Sequence, residues 1–143
     1  MKHTLVVHTD GGARGNPGPA AIGVVVEDGG KRVAGIGKVL GETTNNVAEY
    51  TAVIEALRFL VSYVSQLKSK GDSATISFYL DSTLVVNQIN GLFKVKQPHL
   101  RELLFTVHSL EQQAGGEIHY ASIPREQNAA ADSLVNQALD GLL

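Results

Sequence analysis

Four acidic residues stand where an acid calls for a reason. Asp10 closes the β-branched run "TLVVHTD" and is followed at once by the glycine- and proline-rich "GGARGNPG". Asp81 closes a second such run, "ATISFYLD". Glu49, in "TTNNVAEY", falls in the opening turns of a long helical pattern on the side of Val53 and Ala56, which directs it inward. Asp132, in "AAADSL", lies among alanines in the first turns of the last helical pattern, with no basic residue at helical spacing. Singly, each has an ordinary structural explanation, because aspartates end many strands as turn residues and acids in a first helical turn complement the dipole. Together they do not. Two carboxylates about 4 Å apart repel by ~4 kcal/mol at an effective dielectric of 20, so three or four at one sheet edge need protons or cations. An oxygen-only donor set without histidine or cysteine selects a hard ion, Mg²⁺ or Mn²⁺. The rival for the segment after Asp10 is a phosphate-cradling loop, but "GGARGNPG" has no following GKS or GKT and enters another strand instead of a helix.

The elements that must bring these acids together can be read from periodicity. Residues 4–10 form a buried strand, and "AAIGVVVED" and "KRVAGIGKVL" are two apolar runs split by Gly29 and Gly30, a hairpin signal, so the first three strands make an antiparallel meander. From Thr43 onward Val47, Tyr50, Ile54, Leu57, Val61 and Val64 recur at steps of three and four, with Thr44 or Asn45 as the helix cap. A strand over 74–81, a short helix over 82–91 closed by Gly91, the turn "KVKQP", and an amphipathic helix carrying Leu100, Leu103, Leu104, Val107 and Leu110 follow. "EIHYASI" is the last strand, and "NAAADSLVNQALDGLL" the last helix, with Asn128 as its expected cap. Connections through helices make the fourth and fifth strands parallel to the first, which predicts an α/β domain: a mixed five-stranded sheet with helices on both faces. In such sheets sites form at the carboxyl ends of adjacent parallel strands, where Asp10 and Asp81 stand.

Composition bounds the rest. With 143 residues, 43% hydrophobic and 18% charged, the expectation is one globular domain over 1–143. Apolar runs are broken by charge well before the ~20 residues of a membrane span, and the N-terminus lacks the order of a secretory signal. The absence of cysteine excludes disulfides and thiolate metal sites and makes the cytoplasm the default compartment. A net charge of -2 argues against nucleic-acid binding through a basic face alone. None of the five histidines has metal-ligand spacing with another, and His8, alternating with the buried face of the first strand, is read as structural. No long exposed apolar stripe is left over, so a monomer is expected.

The segments "HTDGGARGNPGPAAIGVVV", "TTNNVAEYTAVIEAL", "YLDSTLVVNQING" and "NAAADSLVNQAL", in this order and across essentially the whole chain, resemble the type 1 ribonuclease H family. The resemblance implies a ribonuclease H-like fold with strand order 3-2-1-4-5. It also implies endonucleolytic cleavage of the RNA strand of RNA/DNA hybrids, leaving 5′-phosphate and 3′-hydroxyl ends. Asp10, Glu49, Asp81 and Asp132 match the family's four catalytic, metal-binding carboxylates. Two Mg²⁺ ions per site with substrate, or Mn²⁺ in their place, would clamp the scissile phosphate, one activating water and the other stabilising the leaving oxygen. Two divalent ions also resolve the charge problem, since they more than offset the chain's net negative charge where phosphates arrive. Gly11 and its neighbours would keep the loop low, so that an RNA backbone can lie over Asp10. Asn16, Asn45 and Asn46 match contacts to the minor groove and 2′-hydroxyl, and Thr44 matches a residue that holds a DNA-strand phosphate. Ser82 and Asn87 approach the substrate from the end of the fourth strand, and Lys94 and Lys96 reach backbone phosphates.

The pattern departs from its best-known members in three places. The stretch from Asp81 to Pro98 is too short for a basic, tryptophan-bearing protrusion, and the chain has no tryptophan, so hybrid affinity is expected to be modest and salt-sensitive. Glu42 stands where several relatives carry a phosphate-binding arginine. "SIPREQNAAAD" lacks the histidine associated with product release, leaving Arg125 as the nearest substitute and slower turnover as the expectation. The short pattern resembles the compact form of some bacteria and archaea. Two other functions are compatible with the sequence: a binding module that recognises hybrid or duplex without cutting, and a nuclease that also accepts double-stranded RNA.

Overall fold

A computed structural model describes all residues, 1–143. The meander is β1 (Lys2–Ala13), β2 (Gly18–Asp28) and β3 (Lys31–Thr43), and Gly29 and Gly30, at φ 59° and 84°, turn the hairpin between the last two. Helix α1 (Asn45–Ser69) crosses to β4 (Ser73–Leu80); α2 (Thr83–Ile89) and α3 (Pro98–Ala114) lead to β5 (Glu117–Ser122); a 3₁₀ turn, Arg125–Asn128, opens α4 (Ala129–Leu139). The sheet order is β3-β2-β1-β4-β5, with β1, β4 and β5 parallel. Sheet order and strand directions are those expected.

The layers follow from the alternation of side chains. Leu5, Val7, Ile22 and Val24 face a core completed by Tyr50, Val53, Leu57 and Leu60 of α1. On the opposite face α4 packs through Val135 and Ala138 onto Ala21. That contact is close because β2 and β3 carry glycines beneath the helix. A Cβ at Gly23 would fall on the Ala131 carbonyl oxygen and lie 3.1 Å from Leu134 Cβ. Tyr50 Oη donates to Gln88 Oε1 at 2.6 Å in the interior, which ties α1 to α2. At the far end of the sheet His3 bridges Asp28 and Asp72, each at 2.9 Å, and Tyr63 donates to Asp28 at 2.6 Å. No helix is long and apolar enough to cross a membrane.

Two local expectations are corrected, and one alternative is resolved. The first strand does not end at Asp10 but runs to Ala13, with Gly11 paired to Ile22 and Gly12 to Ala21, so these glycines are ladder residues, not loop. Gly11 is required instead by the neighbouring helix: a Cβ there would fall on the Ala48 carbonyl and lie 2.6 Å from Glu49 N. Asn128 does not cap α4 through its side chain. It is only 1% exposed, and its Nδ2 donates across the fold to the Thr9 carbonyl at 2.8 Å, because the 3₁₀ turn presses it under β1. Of the two candidate caps of α1, Thr44 is the one used, its Oγ1 accepting from Val47 N at 3.3 Å.

Candidate active site

The parallel register sets His8 opposite Tyr79, so two residues further on Asp10 and Asp81 come level at the carboxyl ends of β1 and β4. The two glycines flanking Asp10 then admit one helix from each face. Gly11 lets the first turns of α1 approach until Glu49 reaches the same edge, and Gly23, paired with Asp10, lets α4 settle against the sheet with Asp132 beside it. Asp10, Glu49 and Asp81 each offer a carboxylate oxygen within 4.8 Å of the others. Asp132 lies outside that triad but lines the same cleft, of about 550 Å³, and neighbours Asp10 closely enough to affect its ionisation.

The electrostatics are those of crowded, desolvated acids. Burial, then the charge of Asp81 and the proximity of Asp132, pushes the Asp10 carboxyl up to about 8. Glu49 is raised well above the usual carboxylate range by burial and by Asp10 and Asp81. Burial raises Asp81 as well, and Asn128 opposes that shift by hydrogen bonding. The Arg125 guanidinium, which lines the rim of the cleft, lowers all three. Glu49 Oε2 is buried without any hydrogen-bond partner. A buried, unpartnered carboxylate oxygen is costly unless a cation meets it, and an all-oxygen set fits a hard divalent ion.

The remaining site candidates fall into three groups. Gly11, Asn45 and Arg125 line the acidic cleft, and Asn16 lies at its border, where its Oδ1 accepts from Asn45 N at 3.0 Å. Asn45 Oδ1 accepts from Ala13 N at 2.8 Å, so both asparagines fasten β1 and the loop after it to the start of α1 and retain their amide NH₂ groups for other partners. Asn46, Lys94 and Lys96 line a second groove, shared with Gln88 and Gln97, on the other side of the α1 N-terminus. Thr44 and Ser82 serve as helix caps, the latter accepting from Val85 N at 3.2 Å, and neither lines the cleft. Residues 90–97 form a short link between α2 and α3, with no protrusion. Sequence inspection missed Asn128, which supports both β1 and Asp81, and Arg14 and Asn136, which line the cleft. The spacing of Asp132 and Asn136, four apart in one helix, was the only available signal for the last.

Comparison with known proteins agrees with this architecture. A family model described as reverse transcriptase-like matches residues 8–138. The crystal structure of LC11-RNase H1, isolated from compost by a metagenomic approach, is 42% identical, covers 96% of each chain and superposes with a TM-score of 0.88. The same protein has been crystallised with an RNA/DNA hybrid. Ribonuclease HI of Halobacterium salinarum is 38% identical over 134 residues, and the crystal structure of the RNase H1 from that organism superposes with a TM-score of 0.86, covering 96% of this chain and 98% of its own. A bifunctional protein of Mycobacterium tuberculosis is 39% identical over 138 residues. The present chain spans 35% of that relative's length and 62% of the Halobacterium protein's. With the strand order, the acid-bearing strand ends and near-complete coverage of solved relatives in agreement, the chain belongs to the type 1 ribonuclease H family.

Proposed function

We propose that this chain hydrolyses the RNA strand of RNA/DNA hybrids in a reaction dependent on Mg²⁺, with Mn²⁺ as a substitute, leaving 5′-phosphate and 3′-hydroxyl ends. The observation that carries the proposal is the cluster of Asp10, Glu49 and Asp81 within 4.8 Å, with a buried Glu49 oxygen left without a partner. The hybrid-bound structure of LC11-RNase H1 supports the choice of substrate. In this reading Asp10, Glu49 and Asp81 hold the ions from the floor of the cleft and Asp132 holds from the α4 wall. Bound divalent ions supply the charge that neutralises the phosphate and the acidity that activates water.

The chain's own groups do the remaining work. Asp10 and Glu49 must lose protons before they ligate, so metal loading near neutral pH releases protons and is favoured as pH rises. Asn16 and Asn45 keep their acceptor oxygens on backbone amides and present NH₂ donors to the minor groove and the 2′-hydroxyl, with Asn46 beside them. Gly11 acts by admitting α1, and Thr44 and Ser82 hold the helix ends that border the substrate. Lys94 and Lys96 meet backbone phosphates in the second groove, and Arg125 meets a phosphate at the cleft rim. The chain acts as a monomer. Cleavage of a labelled hybrid and of a matched RNA duplex, with Mg²⁺ and with EDTA, tests this. Metal-dependent cutting of the hybrid, lost in Asp10→Asn while hybrid binding persists, is expected. Binding without cutting by the wild type would make the chain a recognition module, and equal cutting of both duplexes would make it a nuclease of broader specificity.

A further inference from the structure

Asp132, Asn136 and Asp140 recur at intervals of four along α4 and its C-cap, which stacks them on one face. Arg14 reaches this stripe from the connection between β1 and β2: its Nη1 lies 2.7 Å from Asp140 Oδ1, and its Nη2 donates to Asn136 Oδ1 at 3.5 Å. Asn136 in turn donates from Nδ2 to the Asp132 backbone carbonyl at 3.1 Å and to Asp132 Oδ2 at 3.4 Å. The chemistry of the groups fixes the direction of this chain. A guanidinium has donors only, so Asn136 must turn its amide oxygen toward Arg14, and its amide nitrogen is thereby turned onto the Asp132 carboxylate. The opposite amide orientation would set oxygen against oxygen.

We propose that Arg14 and Asn136 are positioning residues for Asp132: Arg14, anchored on Asp140, sets the Asn136 amide, which holds the Asp132 carboxylate in the cleft beside Asp10. Asp132 is the acid that needs such a device. Asp10 and Glu49 are only 6% and 9% exposed and are fixed by packing, and Asp81 has Asn128, whereas Asp132 projects from the more open wall. Arg14 is already paired with a carboxylate, so it contributes orientation more than free positive charge to the cleft.

The inference rests on the proposed metal-dependent cleavage, and the experiment separates the two. Arg14→Ala, Asn136→Ala and the double variant are compared with wild type in hybrid cleavage across Mg²⁺ concentrations, in Mn²⁺ binding by calorimetry, and in thermal unfolding. Each single variant should lower kcat at subsaturating Mg²⁺ by about fivefold and weaken Mn²⁺ binding to a similar degree, the scale of one ordinary hydrogen bond lost. KM for the hybrid should stay within about twofold, and Tm within a few degrees, as for surface substitutions. The double variant should be no worse than Asn136→Ala alone, because the two residues act in series. A raised KM with unchanged kcat and a shallower salt dependence in Arg14→Ala would overturn the proposal, since that is the behaviour of a direct phosphate contact. Unaltered kinetics and Mn²⁺ affinity in both variants would also overturn it. If the wild type leaves the hybrid uncut, the cleavage reading falls, while the Mn²⁺ affinities still decide whether Arg14 and Asn136 act on Asp132.

Discussion

Replacing Asp10 with asparagine should make the metal-free protein more stable while removing its activity. The side chain keeps its size, so the change is one of charge. In the folded chain Asp10 titrates near 8, against an ordinary value of 3.8, because burial and the charge of Asp81 disfavour its ionised form. A raised carboxylate pKa leaves stability untouched below the unfolded value, then lowers it progressively as pH rises, until the folded group also ionises. At pH 7 about three pH units of this penalty have accrued, which at 1.36 kcal/mol per unit comes to about 4 kcal/mol. Partial relaxation of an empty site reduces the gain to roughly 2–4 kcal/mol, which for a domain of this size is a rise in Tm of roughly 5–10 °C. Thermal scans in EDTA between pH 3.5 and 9 read this directly. The two proteins should coincide near pH 3.5 and diverge through neutrality, and the difference should level off above pH 8. Saturating Mg²⁺ should raise Tm of the wild type and leave Asp10→Asn nearly unmoved, since only the wild type gains from ligation. Hybrid cleavage by the variant should fall below about a hundredth of wild type. A gain independent of pH, or equal stabilisation of both proteins by Mg²⁺, would refute the claim that mutual repulsion among desolvated acids dominates this cleft.

Gly11→Ala places a methyl group on the Ala48 carbonyl and must push the start of α1 away. It should lower stability by about 1–3 kcal/mol and impair metal binding by displacing Glu49, measurable by denaturant titration and calorimetry. Asn128→Ala leaves the buried Thr9 carbonyl without its donor and should destabilise by about 1–3 kcal/mol in the same titration, with cleavage shifted to higher pH as Asp81 loses an opposing hydrogen bond. Arg125→Ala removes the charge that lowers Asp10, Glu49 and Asp81, so the rise of cleavage rate with pH should move upward, read from kcat against pH at fixed Mg²⁺. At the far end of the sheet, Asp72 and Asp28 raise His3 while His3 lowers Asp72. Their contribution is lost as pH falls through the lowered Asp72 value and as it rises through the raised His3 value, so it is greatest between about pH 4 and 6.5. His3→Ala should lower Tm by a near-constant amount across that window, and the difference from wild type should shrink at lower and at higher pH.

The acids, the strands they close and the helices that carry the other two were legible in the sequence because each rests on local chemistry. β-branched runs make strands, periods of three and four make helices, and connection lengths make three of the strands parallel. Asp10 and Asp81 are therefore level as soon as β1 and β4 are neighbours. What the tertiary structure decided is how closely anything approaches that edge. The glycines after Asp10 looked like a low loop and proved to be a continuing strand, because the need for Gly11 comes from Ala48, 37 positions away in the chain. Asn128 looked like a helix cap and proved to be a strut under β1, a contact spanning 119 positions. Arg14 and Asn136 stand 122 positions apart and meet only because Gly23 lets α4 settle onto the sheet. Local sequence determines which stretches become strands and which become helices, since those preferences rest on residues near one another along the chain. The exact distance between two elements depends on side chains that meet through space, and only the folded protein brings them together.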